Sequence, residues 1–291
     1  MEGMLVGWRT ITEMHIGGDR GEGPIDLPII REKPSDWPFI PHEGLKGALR
    51  AKARGLWGAG NPEVARLFGP EKADAGGLLG LDQGSLLLLP VRSLDRHYYY
   101  VTAPEVLRRL EEKAQMTSFG AVPGDIPEPQ CDHALVANTD GGAVYLEDMA
   151  LRRSASELGK WIKVLAKLSG RAEETLRQRL VIVTDDDFRI LCQFATPVHP
   201  HIKLDPQSKV NKTGAFWYKE AVAMDTTFYS AFQDLSSKPA DDQEDVTKED
   251  LPNAPIPPLR LLVKLLDGRG GFTRFGGGAT LGLGYCRVVK S

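Results

Sequence analysis

The chain has little cysteine, no long apolar run and no excess of positive charge, and each shortage removes a class of function. Three cysteines stand among 291 residues, Cys131, Cys192 and Cys286, far apart and odd in number. That pattern excludes a disulfide framework and predicts a reducing, cytoplasmic setting. Cys131 with His133, and His199 with His201, come nearest to metal-ligand spacing, but each pair lacks the two further ligands a zinc site needs. No apolar run approaches the roughly 18 residues of a membrane span, so no membrane partner is expected. The first residues, MEGMLVGWRTITEMHIGG, lack a basic region leading into an apolar one, and no signal peptide is expected. The pattern GxxxxGK followed by Ser or Thr is missing, which argues against a nucleoside triphosphatase and a nucleotide cofactor.

The net charge of −3 argues at first against a nucleic-acid partner, but its distribution reverses that reading. Residues 233–251 hold seven acids against two lysines, net −5, which leaves the rest of the chain at +2. Residues 42–54 hold Lys46, Arg50, Lys52 and Arg54 against Glu43 alone, net +3. A local patch of this kind matters more to a phosphate-tracking groove than the total does.

Hydrophobic content of 42% and 26% charged residues suit a globular chain able to bury a sizeable core. Residues 4–13 alternate and are β-prone, predicting a first strand. Gly17, Gly18, Gly21 and Gly23 then open a loop, and prolines at 24, 28, 34, 38 and 41 keep it extended. About 14–41 is therefore read as a loop segment. A helix follows over 43–57, with Leu45, Leu49 and Leu56 on one stripe and Lys46, Arg50 and Arg54 at i, i+4 and i+8 beside it. PEVARLF (62–68) predicts a short helix. Residues 77–94 read as a buried strand ending at Pro90, followed by Arg92.

A helix over 104–115 starts with Thr102 as cap. Residues 141–153 predict one strand, 155–168 and 171–179 a helical pair, and 180–186 a short buried strand. Residues 188–220 read as a long hairpin with a basic tip at Lys203, Lys209 and Lys212. Residues 233–258, acidic and then proline-rich, are expected to be a mobile loop. Strands interrupted by helices and long insertions predict a single α+β domain over 1–291, ferredoxin-like or RRM-like at its core.

The cationic helix has a second anion-binding candidate at the other end of the chain. In Gly268-Arg269-Gly270-Gly271 and Gly276-Gly277-Gly278 the missing side chains let backbone amides approach phosphates, with Arg274 between the two runs. Helix and loop together point to a phosphodiester polymer.

Three stretches together resemble one family. IPHEGLKGALRAKAR is similar to the Lys/Arg helix of the repeat-associated mysterious protein (RAMP) superfamily of CRISPR systems, and FTRFGGGATLGLGYCRV to its C-terminal glycine-rich loop. DQGSLLLLPVRSL, VTAPEVLRRL, HIKLDPQSKVNKTGAFWYKE and PIDLPIIRE resemble the repeating backbone subunit of the type III-B (Cmr) effector complex. One departure is visible: where the family has a Gly/Ser-rich turn, this chain has Pro41-His42-Glu43-Gly44.

The resemblance implies a subunit that stacks with further copies of itself, and with other Cmr-type subunits, along a CRISPR guide RNA. It implies a thumb-like hairpin, and cleavage of guide-paired target RNA that requires a divalent metal (Mg²⁺ or Mn²⁺). The position matching the family's catalytic aspartate is Asp26.

RNA can be cut by its own 2′-hydroxyl, given in-line geometry and help with proton movement and charge. Asp26 is the candidate base or holder of one hydrated Mg²⁺. His15 is the candidate acid or phosphate-positioning group. A turn-capping aspartate and a strand-ending histidine are the plainer readings of the same two residues. Lys46, Arg50, Arg54, Arg92, Lys203, Lys209, Lys212, Arg274, Gly276, Gly277 and Gly278 are the candidate RNA contacts. Phe216, Trp217 or Tyr218 would stack on bases or pack, and Lys219 or Glu220 would assist a neighbouring copy's site. Two other functions fit the residues: a guide-binding subunit without cleavage, and a stand-alone nuclease that processes CRISPR precursor RNA.

Overall fold

The computed structural model describes residues 2–18, 23–72, 75–138, 141–204, 207, 211–236 and 256–290, with backbone alone at 204 and 211–215. In chain order the elements are β1 (Gly3–Thr10), α1 (His42–Trp57), α2 (Pro62–Phe68), β2 (Leu79–Leu81), β3 (Ser85–Arg92), β4 (Tyr98–Thr102) and α3 (Pro104–Gln115). Next come β5 (His133–Val136), β6 (Ala143–Leu146), β7 (Met149–Ala155), α4 (Gly159–Ser169), α5 (Glu173–Arg179), β8 (Leu180–Ile182) and α6 (Asp185–Phe194). The chain closes with β9 (Val198–Leu204), β10 (Asn211–Glu220), β11 (Thr227–Asp234), α7 (Pro258–Gly271), β12 (Phe272–Arg274) and β13 (Tyr285–Lys290).

The main sheet runs β12-β13-β1-β11-β3-β4-β8-β5-β7-β6, with β2 also on β11. Within it, β13-β1-β11-β3 is the antiparallel order of a βαββαβ unit, with α1 following its first strand and α7 its third. This is the expected ferredoxin-like core, and residues between β3 and β11 are its insertion. The leucine stripe of α1 holds as far as Leu45 and Leu49, joined by Ala53, and these share one core with Leu261, Leu262, Leu265 and Leu266 of α7. Trp8 of β1 sits edge-on to Phe275 at 5.2 Å and donates to Ser230 Oγ at 2.9 Å.

Several boundaries differ from the sequence reading, for local reasons. Leu56 is 38% exposed, because the last turn of α1 runs past the core and lies against Gly268. The segment 77–94 forms two strands, and Pro90 lies inside β3. β11 pairs with β3 only as far as Leu88, so at Pro90 no ladder partner needs the missing N–H on that edge. Thr102 stays in β4, and α3 is capped from a distance by Asp185 Oδ1, which accepts from Glu105 N at 2.9 Å. The single strand over 141–153 is a hairpin, β6 and β7, turning at Glu147 with φ +50°.

The largest correction concerns 188–220. Phe188–Phe194 belongs to α6, whose Thr184 cap and three first-turn acids (Asp185, Asp186, Asp187) favour a helix that buries Phe188, Leu191 and Cys192. The hairpin is the shorter pair β9 and β10, a two-stranded ribbon of its own. The first strand ends at Thr10, β11 extends through Asp234, and α7 starts at Pro258. Most of the acidic segment, 237–255, lies outside the described residues, as do Gly21 and Lys209.

Candidate nucleic-acid interface

The described residues of 14–41 form no helix. Asp26, Leu27 and His15 are laid against the base of the hairpin, along one edge of β10. Tyr218 N donates to Asp26 Oδ2 at 2.7 Å, and Leu27 N donates to Tyr218 O at 3.0 Å. Glu220 N donates to Leu27 O at 3.0 Å, and Glu220 O takes the next bond, from His15 Nδ1 at 2.7 Å. Asp26 and His15 are therefore anchored two residues apart on the same strand edge, a spacing of about 7 Å along a strand.

The acceptor at His15 is a carbonyl, so Nδ1 carries the proton and Nε2 carries the lone pair in the neutral ring. Burial lowers the pKa of His15 below its ordinary 6.5, opposed by the bond to Glu220 O and reinforced by Lys219 nearby. At neutral pH this ring accepts a proton and does not donate one from Nε2, which shifts its role away from the acid expected from sequence. Asp26 is exposed, with one oxygen held by Tyr218 N.

Beneath this edge lies a buried ion pair that the sequence reading did not find. Glu220 is 2% exposed. Its carboxylate pairs with Arg31 and accepts from Thr196 Oγ1 at 2.6 Å and Ile29 N at 2.9 Å. Arg31 also donates to Cys192 O at 2.7 Å and Asp36 O at 3.1 Å. The pair ties the loop, α6 and the hairpin together, and fixes the strand edge that carries Asp26 and His15. Glu220 thus serves its own chain's loop. The one sequence signal for it is a carboxylate closing a β-rich segment just before the apolar AVA of 221–223.

The C-terminal glycines meet the other side of His15. Gly277 N donates to His15 O at 2.9 Å. Gly276 has φ +74°, and a Cβ there would lie 2.3 Å from His15 O. Gly278 has φ +77°, and its Cβ would lie 2.8 Å from Leu283. The loop needs glycine for its own close fit to the His15 segment, before any ligand is considered. Arg274 donates to Gly276 O at 3.2 Å.

The cations of α1 are not equivalent. Lys46 is exposed and has no partner among the described residues. Arg50 turns its guanidinium onto the carbonyls of Phe68 (2.8 Å) and Gly69, clamping α2. Arg54 pairs with Glu71 at 2.5 Å. Lys52, 6% exposed, donates to Leu266 O, Phe272 O and Thr273 Oγ1 at 2.8–3.2 Å. Desolvation, helped by Arg269 nearby, lowers its pKa to about 8. Arg92 is exposed and paired with Glu147 at 2.6 Å. Lys203 is exposed on β9, and the side chain of Lys212 lies outside the described residues.

On the hairpin, Val198, Pro200, Ile202, Phe216 and Tyr218 share one face and are exposed, while His201 stacks on Trp217 on the other at 5.5 Å. No group of three or more His, Cys, Asp or Glu is placed to hold a metal among the described residues, and no helix among them is long and apolar enough to cross a membrane.

A model of the RAMP superfamily matches residues 9–287. The chain belongs to the RAMP superfamily. Its RAMP core is the βαββαβ unit described above, and both candidate RNA elements, α1 and the glycine loop after α7, belong to that core. The chain is 30% identical to the CRISPR system Cmr endoribonuclease Cmr4 of Pyrococcus furiosus, over 99% of this chain and 96% of that protein. It is 22% identical to the CRISPR system CMR subunit Cmr4 of Saccharolobus solfataricus, over 79% of this chain and 83% of that one. Among solved structures, oligomeric Cmr4 from Pyrococcus furiosus superposes with a TM-score of 0.74 at 26% identity, covering 100% of this RAMP chain and 98% of that chain. A chain of the type III-B Cmr-beta complex bound to cognate target RNA superposes at 0.75 with 18% identity, covering 100% and 97%, a likeness of fold.

Proposed function

We propose that this RAMP protein is the endoribonuclease subunit of a Cmr-type (type III-B) CRISPR effector complex, bound to guide RNA and cutting the target RNA paired with it. The observation that carries this reading is the shared strand edge. Asp26 and His15 are pinned two residues apart on one edge of β10 at the base of the hairpin, with His15 also in contact with the glycine loop. The end-to-end similarity to a Cmr endoribonuclease supports the same reading.

The cleavage chemistry follows from the two side chains. The target's 2′-oxygen forms a bond to phosphorus, the bond to the 5′-oxygen breaks, and a 2′,3′-cyclic phosphate and a 5′-hydroxyl result. Neutral His15 Nε2 takes the 2′-hydroxyl proton, and the leaving 5′-oxygen takes a proton from solvent. Asp26, held by Tyr218 N through one oxygen, keeps the other free to hold a hydrated divalent ion beside the scissile phosphate. A divalent ion would stabilise charge developing on the phosphate. The described residues supply one carboxylate for it, Asp26, which suits Mg²⁺ or Mn²⁺ held by a single carboxylate and substrate phosphates. Further copies of the chain, repeated along one guide, would each present such a site.

The test is Asp26→Asn in the reconstituted complex. Asn keeps the size and one acceptor oxygen but removes the charge. Target cleavage should fall by about 10²-fold or more, with guide and target binding unchanged. Full-rate cleavage would leave a guide-binding subunit whose Asp26 is structural.

A further inference from the structure

The groove beside the glycine loop holds a carboxylate where a phosphate-binding site should avoid one. A cavity of about 770 Å³ lies between α1 and the segment 269–285. Gly44, Gly47, Ala48 and Ala51 line it from α1, and at these four positions nothing larger than a methyl group separates a ligand from the helix backbone. Arg269 and Arg274 line it from the segment after the regular part of α7, and Lys52 lines it from α1. Into this cationic groove projects one acid, Glu43. It is exposed and has no hydrogen bond or ion pair among the described residues, although three cations line the same cavity.

Two ordinary explanations fall short. An acid in the first helical turn complements the helix dipole, but that requires no cavity and is worth only a few tenths of a kcal/mol when exposed. A carboxylate that read a base edge would favour one base, through cytosine N4 for instance. A subunit repeated along a guide of arbitrary sequence meets every base in turn, so such a preference would be a defect. The sugar is what remains. Its 2′-hydroxyl is a donor present at every nucleotide of RNA and absent from DNA. A carboxylate accepts only, and a ribose hydroxyl is the common donor that the backbone offers.

We infer that Glu43 accepts a hydrogen bond from a guide ribose 2′-hydroxyl in this groove, with the flanking phosphates facing Arg269 and Arg274, and that it makes the groove select RNA over DNA. This rests on the guide-binding reading above. It assigns Glu43 a specificity role separate from the Asp26–His15 edge.

The experiment measures binding of the full chain to a single-stranded RNA and to DNA of the same sequence, and to the RNA with 2′-deoxy or 2′-O-methyl sugars. The wild-type protein should prefer RNA by about tenfold or more, the worth of one charge-assisted hydrogen bond. Glu43→Ala should lose most of that preference, largely by weakening RNA, and should bind DNA as well as or better than wild type. Glu43→Gln, which keeps an acceptor oxygen, should retain more of the preference than Ala. A dipole role predicts the opposite pattern, with Gln and Ala equally reduced in thermal stability and the RNA/DNA ratio untouched. An unchanged ratio in Glu43→Ala, with RNA still bound, overturns the inference and leaves guide binding standing. Failure of wild-type protein to bind either strand overturns both.

Discussion

At the scale of single residues, the bond from His15 Nδ1 to a carbonyl decides the direction of proton transfer. It leaves Nε2 as an acceptor, and burial keeps the ring neutral to lower pH than an ordinary histidine. The consequence for folding has a definite sign. Between the lowered folded pKa and 6.5 the unfolded chain binds a proton that the folded chain refuses. Acidification through that window therefore costs stability, and the cost disappears above it. The consequence for catalysis runs the same way. The acid limb of kcat/KM, which reports the free enzyme, should fall below 6.5. His15→Ala should lower the rate by roughly 10²- to 10⁴-fold and abolish that limb. Lys219 and Glu220 are the charged neighbours acting on the ring; an acid limb at or above 6.5 would assign it to another group, and a rate that falls as pH rises through this range would mean His15 works protonated.

At the scale of elements, α1 shows how one helix divides its cations between holding the fold and facing a ligand. The leucine spacing identified the buried stripe, and Leu45 and Leu49 lie on it as read. Spacing could not say what covers the flanks. Arg50 and Arg54 meet α2 and Glu71, and Lys52 meets the carbonyl ends of α7 and β12 more than 210 positions away. The strip at 14–41 was legible as extended because its prolines allow little else. Its attachment was not legible, since Asp26 finds Tyr218 N across 192 residues. The helix α6 is readable in principle from Thr184 and the three acids after it, but the apolar RILCQF reads equally as the start of a strand.

The division of labour within α1 can be measured. Lys46→Ala should leave thermal stability unchanged and reduce the salt dependence of RNA binding by about one phosphate contact. Lys52→Met should do the reverse. It strands two carbonyls and a hydroxyl, and should cost about 1–3 kcal/mol in urea denaturation. A Lys52→Met protein as stable as wild type, but poor in RNA binding, would move Lys52 from the fold to the ligand.

At the scale of the whole molecule, the hairpin is the part that a single copy leaves unfinished. A two-stranded ribbon is marginal by itself. Here, among the described residues, Leu27, Asp26 and His15 hold one edge of β10 at its base. Further out, Ile202 is 53% and Phe216 49% exposed on the same face, with Phe216 edge-on to Tyr218 at 5.0 Å. Apolar side chains aligned on one face of a projecting ribbon mark a surface that another molecule covers. In a chain proposed to repeat along a guide, the next copy is always adjacent and supplies that cover without a further partner.

The expected outcome is cooperative loading. On single-stranded RNA of increasing length, wild-type protein should add copies in steps, seen by analytical ultracentrifugation. Ile202→Ser with Phe216→Ser should bind as scattered single copies. Burying two such side chains is worth about 3 kcal/mol, on the order of a hundredfold in the association constant between neighbours. The melting temperature of the free protein should hardly move, because both residues are already exposed in it. Affinity for a short RNA that accommodates one copy should also persist, which separates a contact between copies from a contact with RNA. If the double variant loads as cooperatively as wild type, the ribbon's apolar face is not the joint. If it loses the short RNA as well, that face binds nucleotides rather than the next copy.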